Sequence, residues 1–390
     1  MALNILPGTN LDNGIKQNTE DITLPSSVIP IELSINTESP WIYCNYPEHI
    51  TDEEMLADEN NARLIRQEVP AGNVQVFYSH FNEIKEDNDK KEEDKEYINI
   101  RYGIRIYNPN NFDVTITPTN CGHSDGTWAD TSGGVWQRFF KGVGDCDIKT
   151  ATKVSPYKSL WIMDKLITPG VFSGNLRFTT TASVAVSVYA YKNRSNVGDS
   201  TKTYLYDEKS VQYTGIGEGF FFSVNKITLN ASELFEGKYF STQRKQYSPK
   251  SLVKVNGEAK SDLIPIHIAG SNQIAGPGED RPLHNVGNWC AQYYIPIRLY
   301  NDTNSKVTFK AYVHTGAEKS QNGEIPGSTF IISSGSSTQF GAVGGENPKA
   351  WNWLKCEVEP YEAIDDAYQY IFGTNSSAHV NHVFIAEKSK

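Results

Sequence analysis

Apolar and polar residues alternate along two stretches of the chain that resemble each other. Ile104–Ile116 aligns with Ile297–Phe309 without a gap, and more than half of the aligned residues are identical. Each stretch places apolar residues on alternate positions around a polar loop, which is the period-two pattern of paired strands that bury one face. The pattern therefore predicts two β-hairpins, with inward positions at Ile104, Ile106, Val114 and Ile116, and at Ile297, Leu299, Val307 and Phe309.

Similar patterns flank both hairpins. Asn73–Asn82 aligns upstream with Leu263–Asn272, and Thr179–Lys192 aligns downstream with Asn375–Lys388. Each flanking match is weak, but the order of the segments is kept. This order predicts a module that was duplicated in tandem.

The fold class predicted from these patterns is all-β, with two related antiparallel β-sandwich domains in tandem and an extended N-terminal arm. The abundance of Tyr, Phe, Thr and Asn favours sheets over helices. We expect the arm at 1–37, the first sandwich at 38–195, a linker at 196–217 and the second sandwich at 218–390. An arm of this kind is suited to pack on a neighbouring subunit.

Two short helices are expected beside the sheets. Thr51–Ile65 opens with an N-capping Thr followed by acidic residues in the first turn, and Gly134–Phe140 contains a short aromatic run.

Charge and hydropathy limit the partners. The formal net charge is −10 and no cluster of Lys and Arg is visible, so nucleic acid is not an expected partner. No apolar run reaches the roughly 18 residues of a transmembrane helix. The N-terminus shows no basic segment followed by a long apolar stretch, so no secretory signal is visible. We nevertheless expect the protein to be extracellular or at the surface of a particle or spore.

Tryptophans beside polar loops give the best candidate for a binding site. Exposed aromatic rings next to Asn, Asp and Gly suit a sugar, because the apolar ring face stacks while polar groups bind hydroxyls. The alternative is that these tryptophans anchor loops on the sheets. The candidate residues are Asp125, Trp128, Trp136, Asn285, Asn288 and Trp289.

The cysteines leave two possibilities open. Cys121 with Cys146 and Cys290 with Cys356 could form disulfides within the modules, or all could be buried free thiols. Cys121, His123 and Cys146 supply only three soft ligands close in sequence, where a structural zinc site needs four. We therefore expect no metal and no cofactor.

Several short motifs resemble poorly characterised β-rich proteins of spore-forming Firmicutes, some of which occur beside a copper amine oxidase N-terminal-like domain. The motifs lie within residues 38–315 and are Glu38–Pro40, Val76–Asn82, Gly103–Ile104, Asn108–Pro109, Val114–Thr117 and Pro282–Trp289. The resemblance implies a bacterial surface or extracellular β-sandwich protein, and it implies no catalytic residue.

Three functions follow as hypotheses. The first is a non-enzymatic structural or adhesive component of a bacterial surface, spore, virion or secreted assembly, which associates with itself or with other subunits. The second is a glycan-binding module that uses the Trp-bearing loops. The third is a polysaccharide-active enzyme, although no known catalytic motif is present.

Overall fold

The fold is all-β, as the sequence predicts. The computed structural model describes residues 3–8, 18–36, 39–45, 47–52, 61–86, 91–126, 130–192, 214–217, 219–243, 253–255, 265–268, 283–284, 290–315, 328–335, 337–343, 350–372 and 380–389. The chain forms two compact units. The central unit contains Thr37–Phe220 and Pro265–His284, and the split unit contains Met1–Asn36, Phe221–Ile264 and Asn285–Lys390.

The strands alternate with few helices. The first half of the chain contains β1 (Thr19–Glu20), β2 (Ile31–Asn36), β3 (Trp41–Cys44), β4 (His49–Ile50), β5 (Asn61–Val69), β6 (Gly72–Asn82), β7 (Ile100–Tyr107), β8 (Val114–Gly126), β9 (Thr152–Val154), β10 (Ser159–Ile167), β11 (Gly170–Thr180) and β12 (Val184–Tyr191). A 3₁₀ helix at Glu92–Asp94, a π-helical turn at Asp130–Gly134 and helix α1 (Val135–Phe140) lie between these strands.

The second half continues in the same way. It contains β13 (Thr214–Gly217), β14 (Phe221–Val224), β15 (Ile227–Asn230), helix α2 (Ala231–Leu234), β16 (Lys238–Gln243), β17 (Val253–Val255), β18 (Pro265–Ile268), β19 (Leu283–His284), β20 (Gln292–Tyr300), β21 (Val307–Thr315), β22 (Ser328–Ser334), β23 (Ser337–Val343), β24 (Ala350–Val358), β25 (Ala363–Phe372) and β26 (Val380–Lys388).

The central unit is a sandwich of a four-stranded and a nine-stranded sheet. The smaller sheet has the order β5-β12-β7-β10, and the larger one contains the consecutive strands β6-β11-β8-β9. This is the strand order of a jelly roll, in which two Greek keys close two packed sheets. One core cluster holds inward side chains of both sheets, including Ile104 and Val186 of the smaller sheet and Val76 and Leu176 of the larger.

The split unit contains a five-stranded sheet, β1-β24-β21-β26-β16, and an eight-stranded sheet that includes β2-β14-β20-β25-β22. Rings from both sheets meet in its core, where Trp353 of β24 packs 4.6 Å from Tyr368 of β25, measured between ring centroids. The N-terminal residues belong to this unit, because β1 pairs with β24 and β2 pairs with β14. The predicted N-terminal arm is thus paired with strands of its own chain.

The strands of the two predicted hairpins form, but the predicted hairpin pairing is wrong. β7 and β8 lie in different sheets, and so do β20 and β21, because their apolar rows face each other across the core instead of sharing one sheet. Each polar loop therefore crosses from one sheet to the other, and equivalent hydrogen bonds hold the two crossing loops. The Asn108 amide donates to the carbonyl four residues on at 2.8 Å and to the Val154 carbonyl at 2.9 Å. The Asn301 amide donates to the carbonyl four residues on at 2.8 Å and to the Val358 carbonyl at 2.9 Å. Both asparagines are fully buried.

The flanking alignments are wrong. β6 lies between β3 and β11, whereas β18, from the segment aligned with it, lies between β13 and β19. β12 pairs with β7 and β5, whereas β26 pairs with β21 and β16. The strands that share a position in the two units are β11 and β26, together with β6 and β16. Tandem duplication stays a prediction.

The helix predicted at Gly134–Phe140 forms, and α1 lies within that segment. Of the helix predicted at Thr51–Ile65, Asp52 is helical and residues 53–60 lie outside the described residues. The helix predicted at Thr51–Ile65 is wrong for Asn61–Ile65, because these residues begin β5 and pair with β12. Cross-strand pairing at a buried sheet outweighs the local capping signal.

Buried neutral histidines should make the fold sensitive to acid. His80 bonds to the Pro47 carbonyl at 2.6 Å and to the Tyr102 hydroxyl at 3.0 Å, and burial lowers the pKa of His80 to about 4. In the unfolded chain His80 is protonated below about pH 6.5, whereas in the folded chain it stays neutral down to about pH 4. The contribution of His80 to the free energy of unfolding is therefore fully present above about pH 6.5 and is lost as the pH falls from about 6.5 to about 4.

We expect His80 to contribute about 3 kcal/mol to the loss over the whole window, of which about 2 kcal/mol falls between about pH 7 and about pH 5. Burial also lowers the pKa values of His123 and His382, so these residues add to the pH dependence. The measurement is urea unfolding at about pH 7 and about pH 5, with a His80→Gln variant that should reduce the pH dependence by about 2 kcal/mol. A His49→Gln control should not, because His49 lies near the surface beside Glu83. Equal slopes in all three proteins would contradict this assignment.

Candidate functional site

The outward face of the four-stranded sheet in the central unit is rich in arginine and aromatic side chains. On β7, Tyr102, Ile104 and Ile106 are buried in the core, so Arg101, Arg105 and Tyr107 alternate with them and face outward. Residues that pair with Arg105 on the neighbouring strands face outward as well, and they form a row across the sheet. The row at this level consists of Arg66 of β5, Ser187 of β12, Arg105 and Trp161 of β10.

This face contains a groove of about 380 Å³. Its volume falls within the range of small-molecule and glycan-subsite pockets. Among the described residues no carboxylate lines it, although the whole chain is acidic. The cationic groove, as we name it, is lined by Arg63, Arg66, Arg105, Tyr107, Tyr157, Lys158, Ser159, Ser187 and Tyr189.

An aromatic cluster lies beside the groove. The Trp161 ring is half-buried, and its centroid lies 5.7 Å from the centroids of both Tyr189 and Tyr191. Gly103 permits this arrangement, because a Cβ atom there would meet the Trp161 ring at 2.5 Å. The glycine therefore lets a large ring lie close against the sheet.

An ion pair fixes one end of this face. The Arg101 Nε atom lies 2.8 Å from the Asp164 Oδ1 atom, and only 1 % of the Asp164 side chain is exposed. The hydrogen bond to Asp164 raises the pKa of Arg101, and burial together with Asp164 raises the pKa of Tyr191. These groups stay protonated as the ion pair requires.

Arg66 and Arg105 differ from Arg101 in their surroundings. The guanidinium carbon of Arg66 lies 5.9 Å from the Tyr107 ring centroid, and that of Arg105 lies 5.9 Å from the Trp161 ring centroid. Within the described part of the chain neither arginine forms an ion pair. Rings support both guanidinium groups while their positive charge stays uncompensated.

The corresponding position of the split unit is neutralised. Arg298 of β20 aligns with Arg105, and its cross-strand neighbour on β25 is Asp365 in place of a tryptophan. The Arg298 Nη1 atom lies 2.7 Å from Asp365, and the Lys226 Nζ atom lies 2.6 Å from the same carboxylate. The same sheet position therefore holds a balanced charge cluster in one unit and free positive charge in the other.

A strained tyrosine lies at the rim of the groove. Tyr157 has φ of 58° and is 60 % exposed, and Tyr361 in the equivalent turn of the split unit has φ of 61° and is 63 % exposed. Bulky residues rarely adopt this left-handed conformation, which costs of the order of 1–2 kcal/mol. Backbone strain of this kind concentrates at functional sites.

The tryptophan-bearing candidate site has little support among the described residues. Trp136 is fully buried in α1 and packs 5.2 Å from the Phe139 ring, so it is an interior residue and its assignment to a binding surface is corrected. Trp128, Asn285, Asn288 and Trp289 lie outside the described residues.

Asp125 is partly buried and is already engaged by Thr168. The Thr168 backbone amide and hydroxyl donate to its Oδ2 atom at 3.0 and 2.7 Å. Partial burial opposes ionisation of Asp125, but the bonds from Thr168 lower its pKa. Its carboxylate therefore fixes the turn before β11.

All five cysteines are free thiols. The Cys121 and Cys146 thiols are hydrogen-bonded to each other in the core of the central unit. Cys290 precedes β20, whereas Cys356 lies near the end of β24 that bonds to Asn301. The extended strand separates Cys290 and Cys356 by roughly 30 Å, so their predicted pairing is wrong.

Within the described ranges, no group of three or more His, Cys, Asp or Glu side chains is placed to hold a metal ion. No helix among those residues is long and apolar enough to span a membrane.

Comparisons with known proteins identify no relative. No protein-family model matches the chain, and no curated protein matches it. Among solved structures, the CUB1-EGF-CUB2 domains of rat MASP-1 align over 86 % of this chain and 99 % of that chain, at 9 % identity and a TM-score of 0.18. The PBSX exported protein XepA aligns over 84 % of this chain and 86 % of that chain, at 7 % identity and a TM-score of 0.15. Similarities this weak carry no argument about fold or function.

Sequence reasoning missed the cationic groove, although part of its signal is visible. Arg101, Arg105 and Tyr107 alternate with core residues on β7, and Ser187, Tyr189 and Tyr191 do so on β12. Arg, Tyr and Trp are the residue types enriched in binding hot spots, so a row of them on an outward sheet face indicates a binding face. Sequence alone does not show which of these residues lie side by side, because that depends on the pairing register of β5, β12, β7 and β10.

Removing Arg101 should destabilise the central unit, whereas removing Arg66 should not. Arg101→Met leaves the buried Asp164 carboxylate without its cation, which should cost about 2 kcal/mol. Arg66→Met removes an exposed charge without an ion-pair partner and should change the unfolding free energy by less than about 0.5 kcal/mol. Urea unfolding of the two variants, followed by tryptophan fluorescence, checks this difference. Equal losses would show that Arg101 has no special structural role.

Proposed function

We propose that this protein is a non-enzymatic adhesive protein of a bacterial surface or secreted assembly, and that the central unit binds an acidic polysaccharide in the cationic groove. The observation that carries the proposal is the uncompensated charge of Arg66 and Arg105, next to aromatic rings, at a sheet position where the split unit neutralises Arg298 with Asp365.

The charge favours an anionic ligand. A guanidinium group binds a carboxylate through two parallel hydrogen bonds, which suits the uronic-acid carboxylates of an acidic polysaccharide. Arg66 is exposed and Arg105 is half-buried, so both can exchange water for a ligand. Lys158 adds a third positive charge at the rim of the groove.

The rings favour a sugar over an inorganic ion. The apolar face of a pyranose stacks on an aromatic ring while its hydroxyls bond to polar neighbours. Tyr157 and Tyr107 supply rings in the groove, and Ser159 and Ser187 supply hydroxyls. Single-stranded nucleic acid would also use arginines and rings, so the test below compares it with an acidic polysaccharide.

An adhesive role agrees with the remaining features of the chain. Each unit consists of packed β-sheets, and a binding face on such a fold needs no catalytic group. The extracellular setting of this proposal rests on the resemblance to surface proteins of spore-forming Firmicutes.

The first test compares charged and neutral polymers. We expect polygalacturonate to bind to the wild-type protein in isothermal titration calorimetry, and neutral dextran not to bind. The Arg66→Gln/Arg105→Gln double variant should lose at least about tenfold in affinity, because each charge-assisted hydrogen bond contributes about 1.5–3 kcal/mol. Binding of the wild type should also weaken with added salt.

Arg298→Gln is the matched control, since it removes an equivalent arginine that is already paired with Asp365. It should bind polygalacturonate as the wild type does. The proposal fails if the control loses as much affinity as the double variant, or if single-stranded DNA binds more tightly than polygalacturonate.

The two strained tyrosines give an independent test. Tyr157→Asn removes the rim ring and should weaken polygalacturonate binding by about tenfold, since an aromatic contact contributes about 1 kcal/mol or more. Tyr361→Asn should leave binding unchanged. Asn tolerates positive φ, so neither variant should lower the melting temperature. Identical affinities of Tyr157→Asn and the wild type would remove Tyr157 from the site.

A further inference from the structure

Cys121 and Cys146 lie together in the core of the central unit. Both side chains are almost fully buried, and the two thiols are hydrogen-bonded. Cys121 is an inward residue of β8, opposite Leu176 of β11. Cys146 belongs to the turn that follows α1.

Backbone contacts hold this turn against β8 independently of the thiols. The Cys121 amide donates to the Gly142 carbonyl at 2.8 Å, and the His123 amide donates to the Asp145 carboxylate at 2.9 Å. The Arg138 guanidinium of α1 donates to the His123 carbonyl at 2.5 Å. The two cysteines therefore stay adjacent wherever the central unit is folded.

We propose that Cys121 and Cys146 form a disulfide bond when the protein folds in an oxidising compartment, and that this bond fastens the α1 segment to β8. Contacting thiols at buried, backbone-anchored positions satisfy the short separation that a disulfide needs. The bond closes the loop that contains the π-helical turn and α1. This inference does not depend on the proposed binding site.

The other cysteines offer no equivalent pair. Cys44 bonds to His80 at 3.6 Å and to Tyr102 at 3.7 Å, and Cys290 is separated from Cys356 by the length of β20. Among the described contacts, the pair at β8 is the one in which two sulfur atoms meet.

The chemistry requires an external disulfide as oxidant, such as oxidised glutathione. One protein thiolate attacks the oxidant and releases one low-molecular-weight thiol, and the second protein thiolate then displaces the other. The two protein thiols lose two protons and two electrons, and the oxidant is reduced to two thiols. The hydrogen bond with Cys146 and burial raise the pKa of Cys121, so we expect the reaction during folding, before the core closes.

The test refolds the full-length protein with oxidised glutathione and maps its peptides without reduction. The expected product is a peptide pair joined through Cys121 and Cys146, with the other three cysteines alkylated after denaturation. The oxidised protein should melt about 5 °C above the same protein treated with reductant, because the bond constrains the unfolded chain.

Two controls keep the result interpretable. In a Cys146→Ala variant the reductant-dependent shift should vanish, and in a Cys356→Ala variant it should remain. Because the main comparison uses one protein in two redox states, it does not depend on the folding of a variant. Full alkylation of both Cys121 and Cys146 after oxidative refolding, or a crosslink to Cys44, would overturn the proposal.

Discussion

The register of β7 against β10 decides which side chain lies beside Arg105. In the central unit that neighbour is Trp161, whereas in the split unit the same register places Asp365 beside Arg298. A shift by one residue would move each arginine to the core face, where an unpaired charge is too costly. Burial of Ile104 and Ile106 prevents such a shift in β7, so packing in the core keeps Arg105 on the outward face.

Part of this arrangement was predictable because it depends on local sequence. The alternation of Ile104, Ile106, Val114 and Ile116 predicts two strands and the side of each that is buried, and the structure confirms both. The predicted pairing of these strands in a hairpin is wrong, because β7 and β8 lie in different sheets. The same reasoning cannot assign strands to neighbours that are distant in sequence. The similar sequence patterns of the flanking segments align β12 with β26. In the structure β12 pairs with β7, whereas β26 pairs with β21.

The misplaced tryptophans have a related cause. Polar loop residues around Trp136 resemble a binding surface in sequence, but the ring packs against Phe139 within the unit. Whether a loop tryptophan is exposed depends on which other parts of the fold pack over it, and local sequence does not reveal this. The sequence around Trp161 does not indicate a binding site, because its neighbours in sequence are mostly apolar. Only the pairing of β10 with β7 brings Trp161 beside Arg105.

The two units share a buried asparagine in the loop that crosses between their sheets, and they differ in the charge of the adjacent face. The side-chain amides of Asn108 and Asn301 donate to carbonyl groups at equivalent positions of the two units. Breaking these hydrogen bonds would leave a buried amide unsatisfied, which costs about 1–3 kcal/mol of stability. Conserving that network fixes the backbone of the β9–β10 and β24–β25 turns, including the strained tyrosines, and leaves the outward side chains free to vary. Asp365 removes the positive charge from one face without disturbing the fold. The two faces therefore differ in charge although the same asparagine network holds the loops beside them.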